Sequence, residues 1–152
     1  MKSLLGKLGV IIIGLAIFTH GEVWGADSIK EEDKLQKRCG KSAENYFKRF
    51  YGSGYYKSSE GTSLYYYTSH YNRELNACFV LLMGKLIPYN TEEMEKYGVT
   101  TDKELWDIDA NRLNGWFLKI NKFKKPVHCE VSGKDCRSES EWDSLVEPYM
   151  EE

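Results

Sequence analysis

Residues 77–87, "ACFVLLMGKLI", carry a single charge, Lys85, in an otherwise apolar run. Such a run does not suit the half-wet strand of an open sheet. It suits either a central strand covered on both faces or a buried helix. The Tyr- and Thr-rich stretch "SLYYYTSHY" (63–71) precedes it and Pro88 follows it, and both favour the strand. Read so, Cys78, Val80, Leu82 and Leu86 share one face, and Ala77, Phe79, Leu81 and Met83 share the other. Each face needs a covering layer.

One layer is legible near the start of the chain. Leu35, Cys39, Ala43, Tyr46, Phe47 and Phe50 recur at helical spacing and trace one apolar stripe. "SIKE" places Ser28 three residues before Glu31, the reciprocal arrangement that starts a helix, and "YGSG" (51–54) ends it. A second helix signal lies near the end of the chain, where Ser138 stands three before Glu141 and Trp142, Leu145, Val146 and Tyr149 follow. Pro148 lacks an amide hydrogen, so this helix is expected to stop near residue 147. Either it covers the second face of the apolar strand or the sheet curls on itself.

Between these lie "ELWDIDA" (104–110) and "WFLKI" (116–120), two alternating segments joined by the five-residue turn "NRLNG". On the first, Trp106, Ile108 and Ala110 take one side, and Leu105, Asp107 and Asp109 the other. "NTEEMEKYG" (90–98) suits one or two helical turns closed by Gly98. The expected fold is α+β: an N-terminal amphipathic helix, a four-stranded mainly antiparallel sheet, a short C-terminal helix and two disulfides.

The first 25 residues read as a cleaved secretory signal. Lys2 and Lys7 precede the apolar run 8–18, and small residues follow at Gly21, Gly25 and Ala26. That run is about half the ~20 residues a membrane-crossing helix needs. Residues 26–152 then form one domain, secreted or periplasmic, that meets a membrane only through the signal segment before cleavage. The whole chain has a formal charge of −2, and losing Lys2, Lys7 and Glu22 takes it to −3. This balance gives no footprint for nucleic acid, and the short basic cluster "KINKFKK" (119–125) reads as a solvated strand end.

All four cysteines lie after the signal, and an exported chain is expected to pair them. Four cysteines allow three connectivities. The "EVSGKD" turn would bring Cys129 and Cys136 together cheaply, which leaves Cys39–Cys78 to staple the helix to the apolar strand.

The chemistry-bearing motifs are sparse. "CGKS" (39–42) has Leu35 where a phosphate-cradling loop needs its first glycine, and it lies within the helix pattern. "HCE" (128–130) with Cys136 lacks an evident fourth ligand, so no metal and no cofactor is expected. Asp107 and Asp109, with His70 as a partner, could serve a small secreted hydrolase, although two acids on one strand face are more simply its wet side. The most distinctive signal is residues 52–72, which hold six of the eleven tyrosines among Ser and Gly. Tyrosine offers a large ring and a hydroxyl with little rotamer freedom to lose, the mixture that binding loops favour. Alternation groups Tyr65, Tyr67 and Tyr71, which with Tyr55 and Tyr56 would form an outward patch for a protein or glycan if Leu64 faces inward. The same rings could instead be core wall. The expected function is a non-catalytic binding module, with a hydrolase or an inhibitor of a secreted enzyme as alternatives.

Overall fold

The computed structural model describes residues 25–151, with side chains from Lys30 onward. The expected signal segment therefore lies outside the described residues, apart from its last position. Helix α1 spans Gly25–Tyr51, so Ser28 falls inside it and does not mark its start. Cys39, Ala43 and Phe47 are buried, as the stripe requires. Phe50 departs from the stripe and is 55% exposed, while its neighbour Tyr51 turns inward to stack on Phe47 with ring centroids 5.5 Å apart. Gly52, at φ 55°, ends the helix in the left-handed conformation a side chain would strain.

The sheet has seven strands, not four. These are β1 (Tyr55–Lys57), β2 (Gly61–Asn72), β3 (Ala77–Pro88), β4 (Thr100–Asp107), β5 (Arg112–Ile120), β6 (His128–Val131) and β7 (Lys134–Asp135). They form an antiparallel meander in chain order. The three unforeseen strands, β1, β6 and β7, are two to four residues long and occupy the ends of the meander. At that length no alternation can be read, and pairing alone defines the strand. The segment read as the turn between Cys129 and Cys136 is in fact the β6–β7 hairpin, clamped by their disulfide. Strand β5 also begins earlier than "WFLKI", and Asn114 is the extra residue of a bulge opposite Leu105 and Trp106.

Helix α2 (Thr91–Lys96) follows β3, capped by the Asn90 side chain, which accepts from the Glu92 amide at 2.8 Å. Helix α3 spans Glu139–Met150, capped by Ser138, and runs through Pro148 instead of stopping before it. That last turn is held from outside. Asn72 donates its side-chain amide to the Pro148 carbonyl at 2.9 Å, and Tyr149 meets Phe79 edge-on at 5.1 Å.

Strand β3 is covered on both faces. Val80 and Leu82 pack under Ala43 and Phe47 of α1, while Phe79 joins Leu105, Phe117, Val131, Trp142 and Val146 under α3. The disulfide Cys39–Cys78, with Cα atoms 5.4 Å apart, ties α1 to the second residue of that strand. On the α3 side, Lys103 of β4 reaches Glu139 at 2.8 Å and Asp143 at 3.0 Å, and its ammonium lies 5.6 Å from the centre of the Phe117 ring.

Two outcomes follow from these ties. Replacing Cys39 and Cys78 together by Ala should lower the unfolding free energy by about 4 kcal/mol, the loop-closure value for this separation, read from urea midpoints. A loss below about 1 kcal/mol would mean that packing alone docks α1. The Glu139 carboxyl is held below its ordinary value, chiefly by the hydrogen bond from Lys103. Its contribution is therefore present above the unfolded carboxyl pKa and fades as pH falls through the lowered folded value. Lys103→Met should flatten that acid limb of the stability curve.

Candidate functional site

Helix α1 lies across β2 and β3, and the same face of the sheet continues beyond it onto β4, β5 and β6. Alternation along β4 brings Asp102, Glu104 and Trp106 to this face. The register sets Leu118 and His128 in line with Asp102, and Trp116 and Glu130 in line with Glu104. On the helix side the wall is aromatic: Tyr46 lies 5.9 Å from Trp106, and Tyr51 lies 4.8 Å from Tyr65. Tyr65 covers Gly84, whose missing side chain makes room for the ring. A Cβ there would come within 2.6 Å of it. Opposite, Trp116 packs on His128 with centroids 4.5 Å apart.

Each carboxylate is held by an indole. Trp106 donates Nε1–H to Glu104 Oε2 at 2.6 Å, and Trp116 donates Nε1–H to Asp102 Oδ1 at 2.8 Å. Neither carboxylate has a basic side chain within ion-pair distance among the described residues. Burial pushes the Asp102 carboxyl above its ordinary value, against the hydrogen bond from Trp116. Burial does the same to Glu104, aided by the charge of Asp102 and opposed by hydrogen bonds from Trp106 and Tyr51. The Tyr46 and Tyr51 hydroxyls are also pushed up, first by burial and then by Glu104. The result is a pair of half-buried carboxylates, each held by an indole N–H, beside the aromatic wall of α1.

The residues singled out from the sequence are placed differently. Tyr71 is 5% exposed and donates its hydroxyl to Asn76, while Tyr67 packs 4.7 Å from Phe47. Tyr65, Tyr67 and Tyr71 thus face α1 as inner wall. Tyr56 is exposed and meets Tyr65 edge-on at 6.2 Å, at the rim of the aromatic face. Tyr55 is exposed on the other side of β1, the side of Leu64, and Leu64 and Tyr66 are themselves outward.

His70, Asp107 and Asp109 do not share a cleft. His70 and Asp107 both pair with Phe79, one on each side, which puts two strand spacings of about 4.8 Å each between them. Asp107 is buried, not on a wet side. It accepts from the Ala110 amide at 3.0 Å and from Arg112 at 3.4 Å, closing the β4–β5 turn beside a groove of about 470 Å³. Asp109 lies past the strand end and accepts from the Cys78 amide at 3.0 Å. His128 belongs to the aromatic face, and both sulfurs near it are in the disulfide.

Sequence reasoning passed over Asp102, and it noted Glu104 and the two tryptophans only as strand positions. A signal was present: "DKELW" (102–106) alternates Asp, Glu and Trp on one face, and Trp116 stands across the turn. No protein-family model, curated protein or solved structure matches this chain.

An acid whose pKa is raised by folding destabilises the fold when ionised. The penalty is absent below the unfolded pKa and complete above the folded one. Asp102→Asn with Glu104→Gln keeps an oxygen for each indole and should stabilise the protein near neutral pH by roughly 0.5–1 kcal/mol after solvent screening. The difference from the native protein should vanish in acid, as followed by thermal melts across pH. A destabilised variant at neutral pH would show that the charges support the fold.

Proposed function

We propose that this protein is an exported, non-catalytic binding domain whose aromatic face beside α1 seats a basic side chain of a protein partner. The observation that carries this reading is the pair Asp102 and Glu104, half-buried between Trp106, Trp116, Tyr46 and Tyr51 with no cation within ion-pair distance among the described residues. Negative charge in a low-dielectric surround favours an incoming positive group, and aromatic faces attract the same group through their quadrupoles. A guanidinium suits both features, because its flat fork pairs with carboxylates and stacks on rings. The two disulfides are consistent with an oxidising compartment, and the signal-like N-terminus supports export.

A binding role fits better than hydrolysis. Both carboxylates already accept an indole hydrogen bond and lie on a sheet face, and four grooves of about 330 to 510 Å³ elsewhere are lined by other residues. The tyrosine segment contributes to this face through Tyr65 and Tyr56, as wall and rim.

Glycine-flanked arginine peptide, titrated against the protein with the indole N–H signals of Trp106 and Trp116 as the readout, should shift both signals saturably. The Asp102→Asn, Glu104→Gln protein should lose at least about tenfold in affinity, corresponding to the ~1.4 kcal/mol of a modest charge-assisted contact. Tyr66→Ser, on the opposite face, should change nothing. If neutral oligosaccharides move the same signals in both proteins and the peptide does not, the face reads glycan and the basic-group reading is wrong.

A further inference from the structure

From Ala110 to Cys129 the chain has no carboxylate side chain, yet it carries Arg112, Lys119, Lys122, Lys124 and Lys125. Three of these lysines lie in the β5–β6 connection, residues 121–127. That connection is not a loose loop. Asn121 donates its amide to Val99 O at 3.0 Å, Lys122 to Tyr97 O at 3.2 Å, Phe123 to Ile120 O at 2.8 Å and Val127 to Leu118 O at 2.7 Å. The backbone is thereby held against the turn that follows α2. Its apolar side chains nevertheless point away from any core: Phe123 is 47% and Val127 54% exposed. Lys122, Lys124 and Lys125 form no ion pair among the described residues. Tyr97 stands next to them, half-exposed, with the Lys96 ammonium 5.0 Å from its ring centre.

A tip anchored at both ends that displays a phenyl and an isopropyl group among unpaired ammonium groups fits one kind of surface. We propose that the β5–β6 tip docks on a bilayer that contains anionic lipid, with Phe123 entering the headgroup boundary and Lys122, Lys124 and Lys125 meeting lipid phosphates. A soluble polyanion would satisfy the lysines but gives the exposed phenyl and isopropyl groups nothing, whereas a bilayer accepts both. The glutamates of α2, Glu92, Glu93 and Glu95, flank the same end of the sheet, so the docked domain leans toward the lysine side and away from α2. Among the described residues no helix is long and apolar enough to cross a membrane. The docking contact is independent of the aromatic face beside α1.

The test is co-sedimentation of the protein, in the form the cell exports, with phosphatidylcholine vesicles with and without about 30% phosphatidylglycerol. Partitioning should require the anionic lipid and fall steeply as salt rises from about 0.1 M, where the screening length is ~10 Å. Each Lys→Gln change at 122, 124 and 125 should reduce partitioning about fivefold, and the triple variant about a hundredfold. Phe123→Ser should reduce it about tenfold with the charge intact. These positions are exposed, so circular dichroism should be unchanged. Equal sedimentation with both vesicle types, or variants that sediment like the native protein, would overturn the proposal. So would Lys-dependent binding to heparin that Phe123→Ser leaves intact without vesicle binding, or self-association lost with the same lysines.

Discussion

Everything in this fold is arranged around a strand whose first half is buried on both faces. Strand β3 is buried by α1 on one face and α3 on the other, and both helices are tied down at points the strand itself determines. Cys78 near its start bonds Cys39 of α1, and Phe79 one residue later receives Tyr149 of α3. The two ties lie on opposite faces of adjacent residues, as alternation demands. A domain of this size has little core to spare, so a covalent link worth about 4 kcal/mol is a large share of a typical stability of 5–15.

The sheet's free edges are handled by other means. Strand β1 pairs only with Thr62–Leu64, leaving the rest of β2 without a neighbouring strand on that side. There the Gln36 carboxamide stands in for one peptide: it accepts from the Tyr71 amide at 2.8 Å and donates to the Ser69 carbonyl at 3.3 Å. A side chain from α1 thus blunts an edge that could otherwise recruit another chain. At the far edge the two-residue β7 is too short to template further pairing, and the Cys129–Cys136 bond closes the hairpin behind it.

How far the sequence disclosed this depends on the length over which each pattern repeats. The α1 stripe and the alternation of β3 are long enough to read, so the Cys39–Cys78 link could be reasoned from the faces their cysteines occupy. Strands of two to four residues have no period, and β1, β6 and β7 were therefore missed. The α3 terminus was misjudged because Pro148 is a local stop signal overridden by tertiary contacts through Asn72 and Tyr149. The tyrosines divided by alternation as expected, but which set faced inward was decided by where α1 lies. For the same reason the site was only half legible. Asp102, Glu104 and Trp106 alternate visibly, yet nothing local says that α1 covers β2 and β3 and leaves β4 open.

That uncovered region explains why the two carboxylates that burial raises lie where they do. Lys103 points to the α3 face and finds Glu139 and Asp143, so its partial burial is compensated. Its neighbours Asp102 and Glu104 point to the other face and find indoles, a tyrosine hydroxyl and each other. One strand therefore carries a satisfied cation on one face and two uncompensated anions on the other, one residue apart. A chain shaped for stability alone could exchange those acids for amides without losing the indole contacts. Two carboxylates raised by burial, each held by an indole and neither facing a cation among the described residues, are the physical ground on which the proposed seat for a basic group rests.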